Sequence, residues 1–356
     1  MVAYLAPLLV YAVVLALHLG LPTRWTVGYV TDGNGQPLRY RLNGLLVCLI
    51  VVGLWAAACH RGLLPWDYFH VHRWEAAGGA CALGLAFTLA IVLGAKPVAP
   101  SLLADLYLGR LENPQWRGGR VDAKMYLYLA GAVMLELNVL SSTARHVLLH
   151  TDDVSPGVVL HAALLSFFVL EYLRFERVHL YTYDFVAERV GFKLGWGCLV
   201  FYPFFYCVGL WAVAELPNPR RSALELGAYG CLFFLGWALS RGANLQKFVF
   251  KTDPTRAFLG VLAPVAVEGG GKRLLCSGFW RLSRHINYLG EITMAIALTL
   301  ALGHPTRLLP WLYPLYYIAL LVPRERADDR RCAGKYGALW EEYCKRVPAR
   351  IIPGIY

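Results

Sequence analysis

Apolar runs of about 20 residues, the length that crosses a hydrocarbon core of roughly 30 Å as a helix, recur along this chain and decide what it can fold into. The first covers Val2 to Leu19; others cover about Gly44 to Cys59, Trp74 to Gly94, Tyr126 to Leu149, Gly157 to Leu173, Leu194 to Ala214 and Leu224 to Ser240. Two or three more are expected between Thr293 and Val322, broken into short pieces by Gly303, Pro305 and Pro310. A chain of 356 residues that is 58% hydrophobic and 16% charged holds more apolar surface than a soluble core of its size would bury. The expected fold is therefore all-α, a polytopic transmembrane helical bundle of roughly nine or ten helices.

The first run has no basic residue before it and no small-residue cleavage site after it, so it reads as a retained helix and not as a leader. Six of the nine cysteines sit in apolar spans and none forms a close pair, which implies neither a disulfide framework nor a metal site. The formal charge of +11 is scattered through short loops without the basic stripe and exposed aromatics of a nucleic-acid binder. Anionic lipid headgroups and one anionic cofactor account for it better. No repeat, low-complexity tract or soluble domain interrupts the chain, and no obligate protein partner is evident. Residues 1–356 read as one integral unit, with N-terminal helices over 1–223 and a more polar half over 224–356. Polar groups at membrane depth usually line a cavity, which places the reaction chamber in that second half.

Three segments there carry chemistry. In Arg241 to Lys251, Lys247 and Lys251 stand at i and i+4, where their like charges repel unless an anion lies between them; Asn244 is one turn earlier. The plain alternative is two lysines snorkelling from a helix end. In Leu275 to Glu291, the residues Trp280, Arg284, Asn287 and Glu291 recur at helical spacing. An aromatic plane, a cation, an amide and a carboxylate are the groups a nicotinamide nucleotide requires, and Gly290 leaves room for close approach. The alternative is an interfacial helix with an aromatic belt. After the last span, Arg324 and Asp328 stand at i and i+4 in the weaker orientation for a purely stabilising pair, which suits a shared ligand. Trp340, Tyr343 and the final residues form a tail able to fold back over the cavity mouth. No phosphate loop or dinucleotide fingerprint follows a strand, and Gly269-Gly-Gly271 reads as a flexible loop. Nor do the Ser and His residues show nucleophile-elbow spacing.

In order along the chain, Leu38-Arg-Tyr-Arg-Leu-Asn-Gly44, Gly109-Arg-Leu-Glu-Asn-Pro114, Glu176 with Thr182 and Asp184, Gly242-Ala-Asn-Leu-Gln-Lys247, Arg284-His-Ile-Asn-Tyr-Leu-Gly290, and Arg324, Asp328, Lys335-Tyr-Gly337, Trp340, Tyr343 and Val347-Pro348 resemble the sterol reductase family over nearly the whole length. The resemblance implies a ten-helix fold with an NADPH pocket in the C-terminal half, beside a chamber that admits a sterol from the bilayer. It implies that Lys247, Lys251, Arg324 and Tyr343 hold the phosphates and adenosine side, and that Asp328 sits at the junction with the sterol. The family usually has Arg at the position of Lys251 and Asp at that of Glu291. A larger departure is Phe168 with Glu171, where relatives place a tyrosine and an aspartate. Glu171, Tyr172, Tyr206 and Asp328 all remain open as the proton donor.

Such an activity would protonate an isolated alkene and deliver hydride from NADPH to the resulting cation. The delta-14, delta-7 and side-chain delta-24 bonds share this motif set, so the bond stays open. The alternative activity is that of an isoprenylcysteine carboxyl methyltransferase-like enzyme using S-adenosylmethionine, whose methyl donor lacks the phosphates that Lys247 and Lys251 would serve. The expected location is an integral membrane one: the inner membrane if the chain is bacterial, the endoplasmic reticulum if it is eukaryotic.

Overall fold

The computed structural model describes residues 2–356 and is built mainly from helices. Among the described residues six helical stretches are long and apolar enough to cross a membrane, and Gly44–His60 and Ile286–Ala301 are shorter apolar helices. Residues such as Leu9, Leu54, Trp74 and Leu93 are left exposed on these helices, as lipid-facing side chains are. The chain is an integral membrane protein, folded as two compact units, Met1–Pro219 and Arg220–Tyr356.

The first unit contains α1 (Val2–Gly20), β1 (Arg24–Thr31), β2 (Pro37–Leu42), α2 (Gly44–His60), α3 (Arg73–Leu93), α4 (Ala123–Leu149), α5 (Pro156–Arg174) and α6 (Phe192–Phe205). Helix α4 is its hub: 78% of its apolar window is buried, against 28% for α1 and 50% for α5. Asp122 starts α4 by accepting from the Met125 N–H at 2.9 Å. The fully buried Lys124 donates to the carbonyls of Asp184 and Phe185 at 2.8 and 3.1 Å. Gly131 lets the backbone of α6 approach, since a Cβ there would lie 2.4 Å from the Cys198 carbonyl.

Two sequence expectations change here. The span over Leu194–Ala214 is not one α-helix: Phe192–Phe205 is a π-helix, followed by a short α-helix Val208–Val213. Pro203 inside it has no N–H to give, and its carbonyl accepts from Asn138 Nδ2 at 3.0 Å, so the backbone is held in the wider turn by a neighbour. The Thr23–Asn43 connection is an antiparallel hairpin of β1 and β2, so the all-α expectation holds for the spans but not the connections. Asp32 closes its turn by accepting from the Asn34 and Gln36 N–H groups.

The β2 strand and the residues after it lock the unit's loop end. Tyr40 is buried edge-on against Phe185. Arg41 donates to the carbonyls of His18 and Leu21 at 3.0 and 3.1 Å, satisfying the exposed end of α1. Asn43 contacts the His18 ring at 2.6 Å. Gly44 donates its N–H to Glu176 at 3.2 Å, and a Cβ at Gly44 would meet Glu176 Oε1 at 2.3 Å.

The second unit contains α7 (Ala223–Thr252), β3 (Ala266–Gly269), β4 (Lys272–Leu275), α8 (Ile286–Ala301), α9 (Leu308–Tyr336) and α10 (Ala338–Arg346). A reciprocal Ser222–Glu225 capping box starts α7. Gly269-Gly-Gly271 is not a flexible loop: Gly270 and Gly271 have φ of 55° and 70°, the left-handed pair that a two-residue hairpin between β3 and β4 demands. Helices α7 and α8 touch through glycine, for a Cβ on Gly290 would lie 2.5 Å from the Gly236 carbonyl. The chain breaks at Gly303, but Pro310 does not break it again. It lies in the first turn of α9, where no N–H is required of it. The apolar half of α9 ends near Val322 and its remaining turns are strongly charged.

Candidate functional site

In the second unit a charged cluster is built on α7 and α9. Arg324, Asp328, Arg331 and Lys335 stand at i, i+4, i+7 and i+11, one stripe of α9. Lys247 of α7 joins them: Lys247, Arg331 and Arg324 all act on the Asp328 carboxyl, and Lys247, Lys335 and Arg331 act on Cys332 beside it. Lys251, half-buried, lies close enough to Lys335 for their charges to oppose. Burial raises the Asp328 carboxyl above the ordinary aspartate range despite the three cations that pull it down. Arg331 was not singled out from the sequence, and Lys335 only within a family motif; their spacing from Arg324 is the signal that would have found them.

Next to this cluster, Asn287 of α8 reaches Asn244 of α7, Nδ2 to Oδ1 at 3.4 Å. Asn287 Oδ1 is buried without a hydrogen-bond partner among the described residues. Glu291, one turn further on, accepts from Ser240 Oγ at 2.6 Å. The room provided by Gly290 is filled by the α7 backbone, a helix contact and not a ligand contact. The Lys247 ammonium lies 5.4 Å from the Trp280 ring centroid.

Trp280 and Arg284 do not lie on the helix that carries Asn287 and Glu291. Trp280 belongs to the short turn Phe279–Leu282, the chain is extended at Ser283, and α8 begins at Ile286. The cause is the C-terminal tail: Ala349 and Arg350 offer carbonyls to the N–H groups of Arg284 and His285 at 3.0 and 2.8 Å, and Ile351 takes the Ser283 hydroxyl at 2.8 Å. Those backbone groups are thus drawn out of the helical ladder. The Arg284 side chain, 7% exposed, pairs with Asp329 at 2.8 Å and donates to the Pro348 carbonyl. The Trp280 indole N–H goes to the Ala243 carbonyl at 2.8 Å. Burial, then the charges of Lys247, Arg284 and Arg350, push the His285 imidazole down to about 3, so this ring is neutral. Tyr343 stacks on Trp340 at 5.1 Å inside a cluster with Val267, Cys276 and Val347, and burial pushes its phenol up.

Glu171, Tyr172 and Tyr206 belong to the first unit. Glu171 is buried in the last turn of α5. Tyr172 lies face to face with His179 at 3.8 Å and tilts against Tyr128 at 5.8 Å. Tyr206 ends α6 and meets Tyr202 edge-on at 4.9 Å. These three and the α9 cluster are thus carried by different units.

Known proteins resemble this chain along its length. The family model described as "Ergosterol biosynthesis ERG4/ERG24 family" matches residues 2–356. Similar relatives include a Delta(14)-sterol reductase of Arabidopsis thaliana, 33% identical over 91% of this chain and 88% of its own length. Delta(14)-sterol reductase TM7SF2 of Mus musculus is 34% identical over 96% of this chain and 82% of its own. Delta(14)-sterol reductase erg24 of Schizosaccharomyces pombe is 32% identical over 94% and 80%.

Proposed function

Because this chain belongs to the ERG4/ERG24 family of ergosterol biosynthesis, we propose that it is a sterol reductase that uses NADPH to saturate the delta-14 ring bond of a sterol. The relatives named above support the bond, since each carries the name Delta(14)-sterol reductase. The observation that carries the cofactor is the stripe Arg324, Arg331 and Lys335 on α9, brought beside Lys247 of α7 with one carboxyl, Asp328, among the cations. NADPH bears three phosphate groups, and such a set of cations fits them as charge-assisted donors. The Asn244–Asn287 amide pair, with its buried unpartnered Oδ1, fits a carboxamide. Family and relatives point to sterol reduction and give no support to methyl transfer.

An unactivated alkene accepts a proton before it accepts hydride, so the protein must present an acid that is still protonated near neutral pH. Asp328, whose carboxyl burial raises above the ordinary aspartate range, is the acid assigned to that role. It gives its proton to one alkene carbon, the neighbouring carbon becomes a tertiary cation, and solvent reprotonates Asp328 after turnover. Bound NADPH supplies the hydride that quenches the cation. Lys247, Lys251, Arg324, Arg331 and Lys335 hold the phosphates, and Asn244 and Asn287 orient the carboxamide. Arg284 and Trp280 act one step away by fixing the tail and the start of α8. The sterol enters from the bilayer.

The test is turnover of a sterol carrying a delta-14 double bond by the purified protein, with NADPH consumption and product mass followed together. Asp328→Asn is expected to lower turnover by about two to four orders of magnitude, the usual share of a general acid, while NADPH binding persists. Full activity in that variant removes Asp328 from the reaction, and absence of NADPH affinity in the parent protein removes the whole reading.

A further inference from the structure

The segment Leu38 to Gly44 explains itself structurally except at one place. Tyr40 is core, Arg41 closes α1, Asn43 holds His18 and Gly44 abuts Glu176, but Arg39 points outward. Arg39 lines a cleft of about 350 Å³ together with Arg24, Trp25, Thr26, Val27 and Arg177. The Arg39 and Arg41 guanidinium carbons lie 5.3 and 5.5 Å from the Trp25 ring centroid. Neither Arg24 nor Arg39 has a carboxylate partner among the described residues; the hairpin's own acid, Asp32, is consumed by the turn.

Cations alone would suit any anion, but the neighbouring surface is apolar. Trp25, Val27 and Tyr29 project from one face of β1 and are 37%, 51% and 41% exposed. An aromatic and aliphatic stripe beside arginines, set at the ends of α1 and α2, matches the boundary between acyl chains and phosphates. The side of the membrane follows from charge. If the spans of the first unit cross in alternation, the loops at the hairpin end (residues 21–43, 94–122 and 175–191) carry nine Lys and Arg, against three (Arg61, Arg220 and Arg221) in the opposite loops. Contacts confirm that these loops share one end: Gln115 reaches the Arg39 carbonyl, and Leu111 bridges Val190. That end is cytoplasmic by the excess of positive charge, and the cytoplasmic leaflet is the one rich in anionic lipid.

We propose that the Arg24–Arg39–Arg177 cleft around Trp25 binds the phosphate of an anionic phospholipid headgroup, with the Trp25–Val27–Tyr29 stripe resting on its acyl chains. The probe is phosphatidylglycerol against phosphatidylcholine, offered to the detergent-purified full chain and read by native mass spectrometry. The parent protein is expected to retain phosphatidylglycerol preferentially. Replacing Arg24→Ala together with Arg39→Ala should reduce that preference about 25-fold, from about five-fold for each arginine near an anionic surface. Arg24→Lys with Arg39→Lys should keep most of it. Equal retention of the two lipids by the parent protein overturns the proposal without reference to any variant. So does displacement of the lipid by millimolar inorganic phosphate, which would mark a soluble-anion site.

Discussion

Asp329 is held by Arg284 at 2.8 Å and by the Trp340 indole at 3.2 Å, whereas its neighbour Asp328 lies among Lys247, Arg324 and Arg331. The first carboxylate thus answers a buried structural cation and the second a ligand-binding stripe. Asp329→Ala strands Arg284, and breaking a buried pair from one side costs about 3 kcal/mol. A clear fall in the unfolding midpoint is expected, and an unchanged one would return Arg284 to the ligand. Glu176 offers a pH signature. Burial raises its carboxyl to about 8, opposed by the Gly44 N–H. Because the folded value exceeds the unfolded one, the folded state binds the extra proton between about pH 4.5 and 8. Its contribution is full below that window and lost as pH rises through it. Thermal stability should therefore fall from pH 5 to pH 8 in the parent protein, and less steeply in Glu176→Gln.

Helices α7 and α8 meet backbone to backbone at Gly236 and Gly290, the arrangement that brings Asn244 to Asn287 and Ser240 to Glu291. Gly290→Ala places a Cβ 2.5 Å from the Gly236 carbonyl and the Ser240 nitrogen. Overpacking of this kind costs about 1–3 kcal/mol, so the variant should melt earlier and bind NADPH more weakly; unaltered affinity would separate the amide pair from the cofactor. Apolar length made the spans legible in the sequence, and the turns of α7 past Ser240 were legible in Lys247 and Lys251. The hairpin over Arg24–Leu42 was also written there, in the alternation of Trp25, Val27 and Tyr29 ahead of Asp32-Gly-Asn-Gly35, but segments this short do not stand out beside apolar runs of about 20 residues. What could not be read locally is the interruption at Ser283. Trp280, Arg284, Asn287 and Glu291 do keep helical spacing, and only carbonyls from Ala349, Arg350 and Ile351, more than sixty residues away, pull the first two off the helix. The π-helix of α6 is similar: Pro203 was visible, but its partner Asn138 lies on another helix.

Nine cations on the loops at the hairpin end of the first unit, against three opposite, favour one orientation that no single helix specifies. Those nine are spread over three loops, so no one substitution should invert the protein, and two reporters should suffice to read it. Asn34, at the exposed hairpin tip, and Asp152, exposed between α4 and α5, lie on opposite sides if the spans alternate. In sealed membrane vesicles that expose the non-cytoplasmic face, a membrane-impermeant maleimide should modify Asp152→Cys above the background of the native thiols, and should reach Asn34→Cys only after permeabilisation. The reverse pattern would put the arginine cleft in the leaflet poor in anionic lipid, and the charge asymmetry would then need a cause other than topology.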